Sequence, residues 1–214
     1  MLVAQATEPR VVVQVNWSGY RKFMEAIGDA PGVRLTYDGG QLEIMTTGAE
    51  HESIKELVGR LLEVYMDESG IDFESGGAQT FKRKRLDKGF EPDVCWWVAN
   101  YRRMLGVKRW DAARHPPPDV AVEVEITHGF IERLPIFAAL GVPEVWWYHD
   151  DSIEILLLQP GGQYRAAESS SNYPDLRPQF LMKYVRLKPT VSTSEILRLF
   201  RRDLRATLEK PKQA

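Results

Sequence analysis

The chain has 214 residues, of which 43% are hydrophobic, 27% charged and 10% aromatic, a composition that excludes a disordered protein and suits one compact core. Its formal net charge of -2 excludes a globally basic nucleic-acid binder, so any contact with DNA requires a local basic surface. The single cysteine, Cys95, excludes an intrachain disulfide and a cysteine-built zinc site. Since no segment resembles a secretory signal or a membrane helix, we expect a cytoplasmic protein with no membrane partner.

The N-terminal part of the chain is predicted to contain a helix followed by a β-hairpin. Residues 1–15 are expected to form a flexible or extended terminus. From Trp17–Ile27, apolar residues recur at helical spacing and end at a glycine. Residues 33–37 and 41–45 then alternate with period two around Asp38-Gly39-Gly40, which predicts the hairpin.

The rest of the chain alternates strand-like and helical segments. A second helix follows Thr47 and continues to Gly70, and a third begins regularly near Leu134 because Pro135 is tolerated only in a first turn. Strands are predicted at residues 71–73, 80–85, 94–98, 120–126, 144–148, 153–158 and 164–166, and a C-terminal helix at 193–209. This order predicts one α/β domain over residues 1–214, with a central mixed sheet flanked by helices.

Two glutamates stand out in the predicted strand at residues 120–126. Alternation places its apolar residues on one face and Glu123 and Glu125 on the other. Two residues of strand rise about 6.6 Å, so these carboxylates converge closely enough to share a cation. An edge strand with one solvated face would also accept both glutamates, and this segment alone leaves that alternative open.

Asp93 supplies a carboxylate from another strand. It precedes an almost wholly apolar segment, typical of a central strand, so Asp93 and Glu123 could meet around one point. Asp119 is the weaker candidate, because it lies four residues before Glu123, about 13 Å away along a straight strand. Oxygen ligands of this kind suit Mg²⁺ or Mn²⁺.

Ordered motifs along nearly the whole chain resemble the Uma2, or DUF820, family of restriction-endonuclease-like proteins. They are the segments 40–45, 50–52, 80–82, 91–93, 117–127 and 134–146. The resemblance implies a PD-(D/E)XK nuclease fold, with Asp93 and Glu123 as the metal-binding carboxylates. It also implies that Glu125 stands where the general nuclease pattern has lysine, and that Arg133 stands where family members carry a lysine on the following helix. Arginine can clamp a phosphate but is a poor proton acceptor.

Several other residues are candidate accessory groups. Glu43 and His51 could reach the site, although His51 could instead pack or cap its helix. The basic run Lys82, Arg83, Lys84 and Arg85 could hold DNA phosphates, although such runs are often only solvated. The tryptophans at 96, 97, 146 and 147 are expected in the core.

These residues together predict a Mg²⁺- or Mn²⁺-dependent endonuclease acting on DNA, in which Asp93, Glu123, Glu125 and Arg133 are catalytic. Two alternatives remain: a catalytically degenerate nuclease fold that binds DNA or acts as a scaffold, and an enzyme acting on another phosphate ester. Since nuclease folds of this kind often pair, a homodimer is expected.

Overall fold

The computed structural model describes residues 8–28, 30–77 and 79–209. Within them, eleven strands form two sheets. In chain order the strands are β1 (Arg10–Gln14), β2 (Val33–Asp38), β3 (Gln41–Thr46), β4 (Glu74–Ser75), β5 (Phe81–Arg83), β6 (Lys88–Phe90), β7 (Val94–Trp97), β8 (Val120–Val124), β9 (Glu144–His149), β10 (Ser152–Leu158) and β11 (Tyr164–Ala167). The helices are α1 (Trp17–Ile27), α2 (Ala49–Glu68), α3 (Tyr101–Met104), α4 (Leu134–Leu140), α5 (Pro178–Val185) and α6 (Thr193–Leu208), with a 3₁₀ turn at Lys84–Leu86.

The small sheet, in the order β1-β3-β2-β6-β5, contains the predicted hairpin as β2 and β3. The large sheet, in the order β11-β10-β9-β8-β7-β4, is antiparallel except for the parallel pair β8 and β9. The predicted α/β class, with a mixed sheet flanked by helices, is confirmed. The small sheet, however, is a separate sheet of five strands that the sequence indicated only as a hairpin.

Strand β8 lies in the middle of the large sheet, and all five of its residues are buried. Val120, Val122 and Val124 pack in the core formed with α2, α5 and α6, whereas Ala121 belongs to a second core on the opposite face. Glu123 therefore points to the second face, where Trp97 of β7 and Phe137 of α4 pack. A central strand excludes the alternative of a solvated edge strand.

Three strand boundaries differ from prediction. The segment 71–73 is not a strand, and a short strand follows it at Glu74–Ser75. The predicted strand 80–85 is divided into β5 and the 3₁₀ turn, with Asp87 in the left-handed region at φ 51°. Strand β8 ends at Val124, so Glu125 lies just beyond it. Short strands of this kind depend on tertiary pairing more than on local propensity.

No helix among the described residues is long and apolar enough to span a membrane. Residues 1–7 of the predicted N-terminal extension lie outside the described residues, and the part that follows forms the edge strand β1.

Candidate active site

Asp93 and Glu123 face each other across two neighbouring strands. Strand β7 pairs with β8 so that Val94 lies opposite Val122, and the same register places Asp93 opposite Glu123. Directly opposed residues of an antiparallel pair share a face, with Cβ atoms about 4.5–5.5 Å apart. Asp93 is 3% exposed and Glu123 4% exposed. The sheet therefore holds two buried carboxylates side by side.

Glu123 is paired with one guanidinium. Arg133, at the residue before α4, brings Nη1 into contact with Glu123 Oε1, and its own side chain is 15% exposed. Neither carboxylate oxygen of Glu123 accepts a hydrogen bond from the described residues. Burial lowers the pKa of Arg133, against the opposing effect of the Asp93 charge. Glu123 Oε2 thus has no partner among the described residues and could accept a hydrogen bond from water or bind a cation.

Asp93 is held from three directions. Its Oδ2 accepts a hydrogen bond from the Val124 amide at 2.8 Å and lies 3.3 Å from His51 Nε2. Its Oδ1 lies 3.6 Å from Nε of Arg34 on β2. Burial by itself would raise the pKa of Asp93, but these contacts with His51 and Val124, with the Arg133 charge, outweigh it and lower the pKa. Asp93 is therefore kept ionised.

His51 is almost fully buried at the start of α2, beside Asp93. Burial tends to lower its pKa, but the contact with Asp93 and the negative charges of Asp93, Glu8 and Glu52 outweigh burial and raise it. His51 therefore tends to carry a positive charge that orients Asp93. The sequence alternatives of packing or capping do not account for this pairing.

Glu43, on β3, joins the small sheet to the loop after β8. Its Oε2 accepts hydrogen bonds from the amides of Phe130 at 2.6 Å and Ile131 at 3.3 Å. Its Oε1 lies 3.1 Å from Arg10 Nη1 and 3.9 Å from Arg133 Nη2. A Cβ at Gly129 would lie 3.2 Å from Glu43 Oε1, so this close approach favours glycine. Glu43 fixes the loop that carries Arg133.

The buried charges nearly cancel one another. Glu8, which accepts hydrogen bonds from Arg10 and Thr127, joins the cluster and gives it four carboxylates. The cluster also contains three guanidinium groups and one imidazole. Its members are Glu8, Glu43, Asp93, Glu123, Arg10, Arg34, Arg133 and His51. With His51 protonated, the cluster is neutral without any added ion.

Glu125 is a predicted catalytic residue that the structure does not bring into the cluster. Strand β8 ends one residue before it, so the alternation expected to align it with Glu123 does not extend this far. Its carboxylate contacts the ring of His128 on the following loop. Glu125 does line the same cavity of about 240 Å³ as Glu123 and Arg133.

The sequence analysis missed four residues at the site, among them Glu8, which like Arg10 fell within the predicted terminal extension. Arg10 fell within the predicted terminal extension, and Arg34 within an ordinary amphipathic strand, so neither carried a motif. Trp147 was expected in the core with the other tryptophans, but it is only partly buried, lies opposite Glu123 in the β8–β9 register and lines the small cavity. Trp96, Trp97 and Trp146 are buried as predicted.

Asp119 is structural, in agreement with its weaker rank as a ligand. Its carboxylate accepts hydrogen bonds from the amides of Val98 at 2.8 Å and Asn100 at 2.9 Å. The basic run Lys82, Arg83, Lys84 and Arg85 does not reach the carboxylate cluster; it lines a separate open cleft of about 1460 Å³.

A family model described as "Putative restriction endonuclease", that of Uma2, matches residues 20–184. The chain belongs to the Uma2 family. This matched range contains Glu43, His51, Asp93, Glu123 and Arg133 of the cluster, but not Glu8 or Arg10.

One solved structure similar to this Uma2 protein is that of a protein from Anabaena variabilis described as a putative nuclease belonging to DUF820. The two share 12% sequence identity with a TM-score of 0.52, over 85% of this chain and 98% of the other. At this identity the likeness concerns the fold alone. No curated protein matches the chain.

The two opposed carboxylates fit a hard divalent ion in their chemistry. The described residues contain no group of three or more His, Cys, Asp or Glu side chains arranged to hold a metal. Mg²⁺, however, is commonly bound through one or two carboxylates, with water and phosphate oxygens completing its shell. The unpartnered oxygens of buried Glu123 are consistent with such a ligand, although Arg133 is a competing cation beside them.

Proposed function

We propose that this Uma2 protein is a divalent-metal-dependent nuclease that hydrolyses phosphodiester bonds of DNA. The observation that carries the proposal is that two buried carboxylates, Glu123 on β8 and Asp93 just before the neighbouring strand β7, lie close to the same Arg133. Burying two neighbouring carboxylates costs free energy unless cations accompany them. Buried ionisable groups of this kind are concentrated at functional sites, so their presence in a protein of a restriction-endonuclease family supports a catalytic role.

Each residue of the cluster has a defined part in this proposal. Asp93 and Glu123 hold the metal, which when bound supplies charge neutralisation and activation of water for attack on phosphorus. His51 orients Asp93, and Glu43 holds the loop from which Arg133 projects. Arg133 binds and orients the scissile phosphate, as a planar guanidinium does well, but it does not accept the proton.

Cleavage of supercoiled plasmid with Mg²⁺ or Mn²⁺ tests the proposal. We expect the native chain to nick DNA and Arg133→Lys to cut at least as well. Glu123→Gln should reduce nicking to background while remaining folded, with a melting temperature below the native value because buried Arg133 loses its carboxylate partner. Glu168→Gln is the matched control, because it removes the same charge at an exposed position outside both the cluster and its cavity. Cleavage by Glu123→Gln equal to that of the native chain would refute the proposal.

A degenerate nuclease fold that binds DNA without cutting it is the second candidate. The contact between Arg133 and Glu123 favours it, since a guanidinium already neutralises the proposed metal ligand. If the native chain and Arg133→Lys bind DNA but neither cuts with any divalent ion, this second candidate replaces the first. A homodimer is compatible with either proposal. The edge strand β1 of the small sheet exposes Val11 and Val12, which offer an apolar surface for such pairing.

A further inference from the structure

A large open cleft lies apart from the carboxylate cluster, between α1, the β5 strand with its 3₁₀ turn, and the loop at residues 109–115. Its volume is about 1460 Å³. Pockets for small molecules commonly measure about 300–1,000 Å³. The cleft is therefore larger than one small ligand requires and suits an extended one.

Basic side chains dominate the lining of this cleft. Three acidic residues line it: Glu25, Glu91 and Asp111. The eight basic residues of the lining form the surface that we call the basic cleft: Arg21, Arg34, Lys82, Arg83, Lys84, Arg85, Arg109 and Arg114. The lining thus carries a charge of +5. The chain has 28 basic and 30 acidic residues in all. Outside the cleft there are therefore 20 basic and 27 acidic residues, which give the rest of the molecule a formal charge of -7. The slightly acidic net charge conceals a strong local asymmetry.

These cations are only partly neutralised by the protein itself. Arg21, Arg34 and Arg114 form ion pairs with acidic side chains, and the negative charges of Glu25 and Glu91 act on Lys82, but the three acidic residues of the lining cannot neutralise all eight cations. Burial lowers the pKa of Lys82, and the positive charges of Arg109 and Arg21 lower it further, which indicates mutual repulsion. A protein surface gains stability when such a cluster meets an anion.

One residue, Arg34, is shared by the basic cleft and the proposed catalytic site. Arg34 lines the cleft and also places its Nε 3.6 Å from Asp93 Oδ1. The tryptophan that lines the cleft, Trp110, is 7% exposed and donates its Nε1 hydrogen to the Pro116 carbonyl at 2.7 Å, so it is not free to stack on a base. Contacts there would go to phosphates, which position DNA without reading its sequence.

We propose that the basic cleft binds the phosphate backbone of DNA and directs it to Asp93 and Glu123. The proposal rests on the proposed function for the identity of the polyanion and for the direction of its path. It includes four arginines that no sequence motif indicated: Arg21, Arg34, Arg109 and Arg114.

DNA binding without cleavage tests this surface. The affinity of a fluorescein-labelled duplex is measured by anisotropy in EDTA over a range of KCl concentrations, for the native chain and the triple variant Lys84→Ala, Arg85→Ala, Arg109→Ala. All three side chains are exposed, so the fold should tolerate their loss. We expect the affinity to fall at least about tenfold near 100 mM KCl, and the salt slope to fall by about 0.9 per lost cation.

The matched control is Arg60→Ala, Arg165→Ala, Arg198→Ala, which removes the same three charges from exposed positions outside the cleft. Its affinity should stay within about twofold of native, because only phosphate-contacting cations enter the salt slope. Equal losses in the two triples, or no binding by the native chain at low salt, would overturn the inference. So would salt-dependent self-association by the native chain that the cleft triple alone abolishes, since the occupant would then be a second copy.

The binding and cleavage results separate the two proposals. If the cleft triple loses DNA binding while no variant cuts, the inference stands and the nuclease function fails. If the native chain cuts and the cleft triple binds and cuts like the control, the function stands and the inference fails.

Discussion

The resemblance to Uma2 proteins implies a lysine at the position of Arg133. Arg133 is itself a cation, and it contacts Glu123. A lysine could lose its proton and leave the site, whereas arginine stays charged in proteins. Its Nη1 contacts Glu123 Oε1, while Nη2 lies 3.9 Å from Glu43 Oε1. The guanidinium therefore competes electrostatically with any divalent ion that approaches Glu123.

Arg133→Met should increase the affinity for Mn²⁺, because the competing charge is removed while the carboxylates remain. We expect at least about a tenfold gain, which corresponds to about 1.4 kcal/mol. Mn²⁺ should also raise the melting temperature of this variant more than that of the native chain, since a ligand of the folded state stabilises it. Electron paramagnetic resonance of free Mn²⁺ measures the affinity, and differential scanning fluorimetry the stability.

The double variant Arg133→Met, Glu123→Gln is the control, and it should lose the gain. Equal Mn²⁺ affinities for the native chain and Arg133→Met would contradict the competition, whether or not either protein cuts DNA.

Among the secondary-structure elements, α6 is fastened to the core by both apolar and polar contacts. Phe200 is fully buried and packs edge-on against the Tyr184 ring, at 5.0 Å between centroids. One turn later, Asp203 accepts hydrogen bonds from Tyr184 Oη at 2.6 Å and Lys183 Nζ at 2.9 Å. These contacts join α6 to α5.

The Asp203 contact should make stability depend on pH. Hydrogen bonds from Tyr184, Lys183 and Arg202 hold the pKa of Asp203 well below its ordinary value. A lowered pKa stabilises the fold above the ordinary aspartate value of about 3.9, and this contribution disappears as the pH falls through the folded-state value. Asp203→Asn should cost up to about 1 kcal/mol at pH 7.

Urea unfolding at a series of pH values checks this dependence. The difference between the native chain and Asp203→Asn should narrow steadily below about pH 4. A difference that stays constant down to pH 2 would assign the cost to packing and not to the charge.

Some secondary-structure elements could be predicted from the sequence and others could not. Helix α1, the β2–β3 hairpin and the regular start of α4 were predicted correctly, because periodicity, turn glycines and a first-turn proline are local signals. Strands β1 and β6 join the small sheet by pairing with residues distant in the sequence, β1 with β3 and β6 with β2, and β5 follows through its pairing with β6. Local patterns could not predict that pairing.

The residues of the candidate site could likewise be predicted only in part. Alternation and a central apolar strand were enough to select Asp93 and Glu123, which the structure places opposite each other. Glu125 was selected by the same alternation, which stops before it. Arg10 and Arg34 come from strands of the small sheet, and their proximity to Glu43 and Asp93 depends on how the two sheets meet.

At the scale of the whole molecule, Arg10 is the main polar link between the two sheets. It extends from β1 to Glu43 and Glu8, and its Nη2 donates hydrogen bonds to the carbonyl oxygen of Thr127 at 2.5 Å and to its hydroxyl at 2.9 Å. Only 6% of its side chain is exposed. Removing it leaves Glu8 without its cation and leaves Glu43 with Arg133, at 3.9 Å, as its remaining cation.

Arg10→Met should therefore destabilise the protein by about 3–5 kcal/mol, the usual cost of breaking a buried ion pair from one side. Adding Glu43→Gln should recover part of that loss. Chemical denaturation measures both, with Arg60→Met at an exposed position as a control expected to stay within about 0.5 kcal/mol. A native-like denaturation midpoint for Arg10→Met would show that the sheets are held together by apolar contacts alone.

The contacts of Arg10 and Glu43 join distant parts of the chain, so the cluster cannot be complete early in translation. Thr127, a partner of Arg10, lies 117 residues farther along the chain, and Glu43 lies 87 residues before Phe130, whose amide it binds. When the ribosome has made only the first hundred or so residues, Glu43 and Asp93 already have Arg10, Arg34 and His51 as partners, but Glu123 and Arg133 do not yet exist. A growing or prematurely ended chain of this length therefore cannot contain the complete charge cluster.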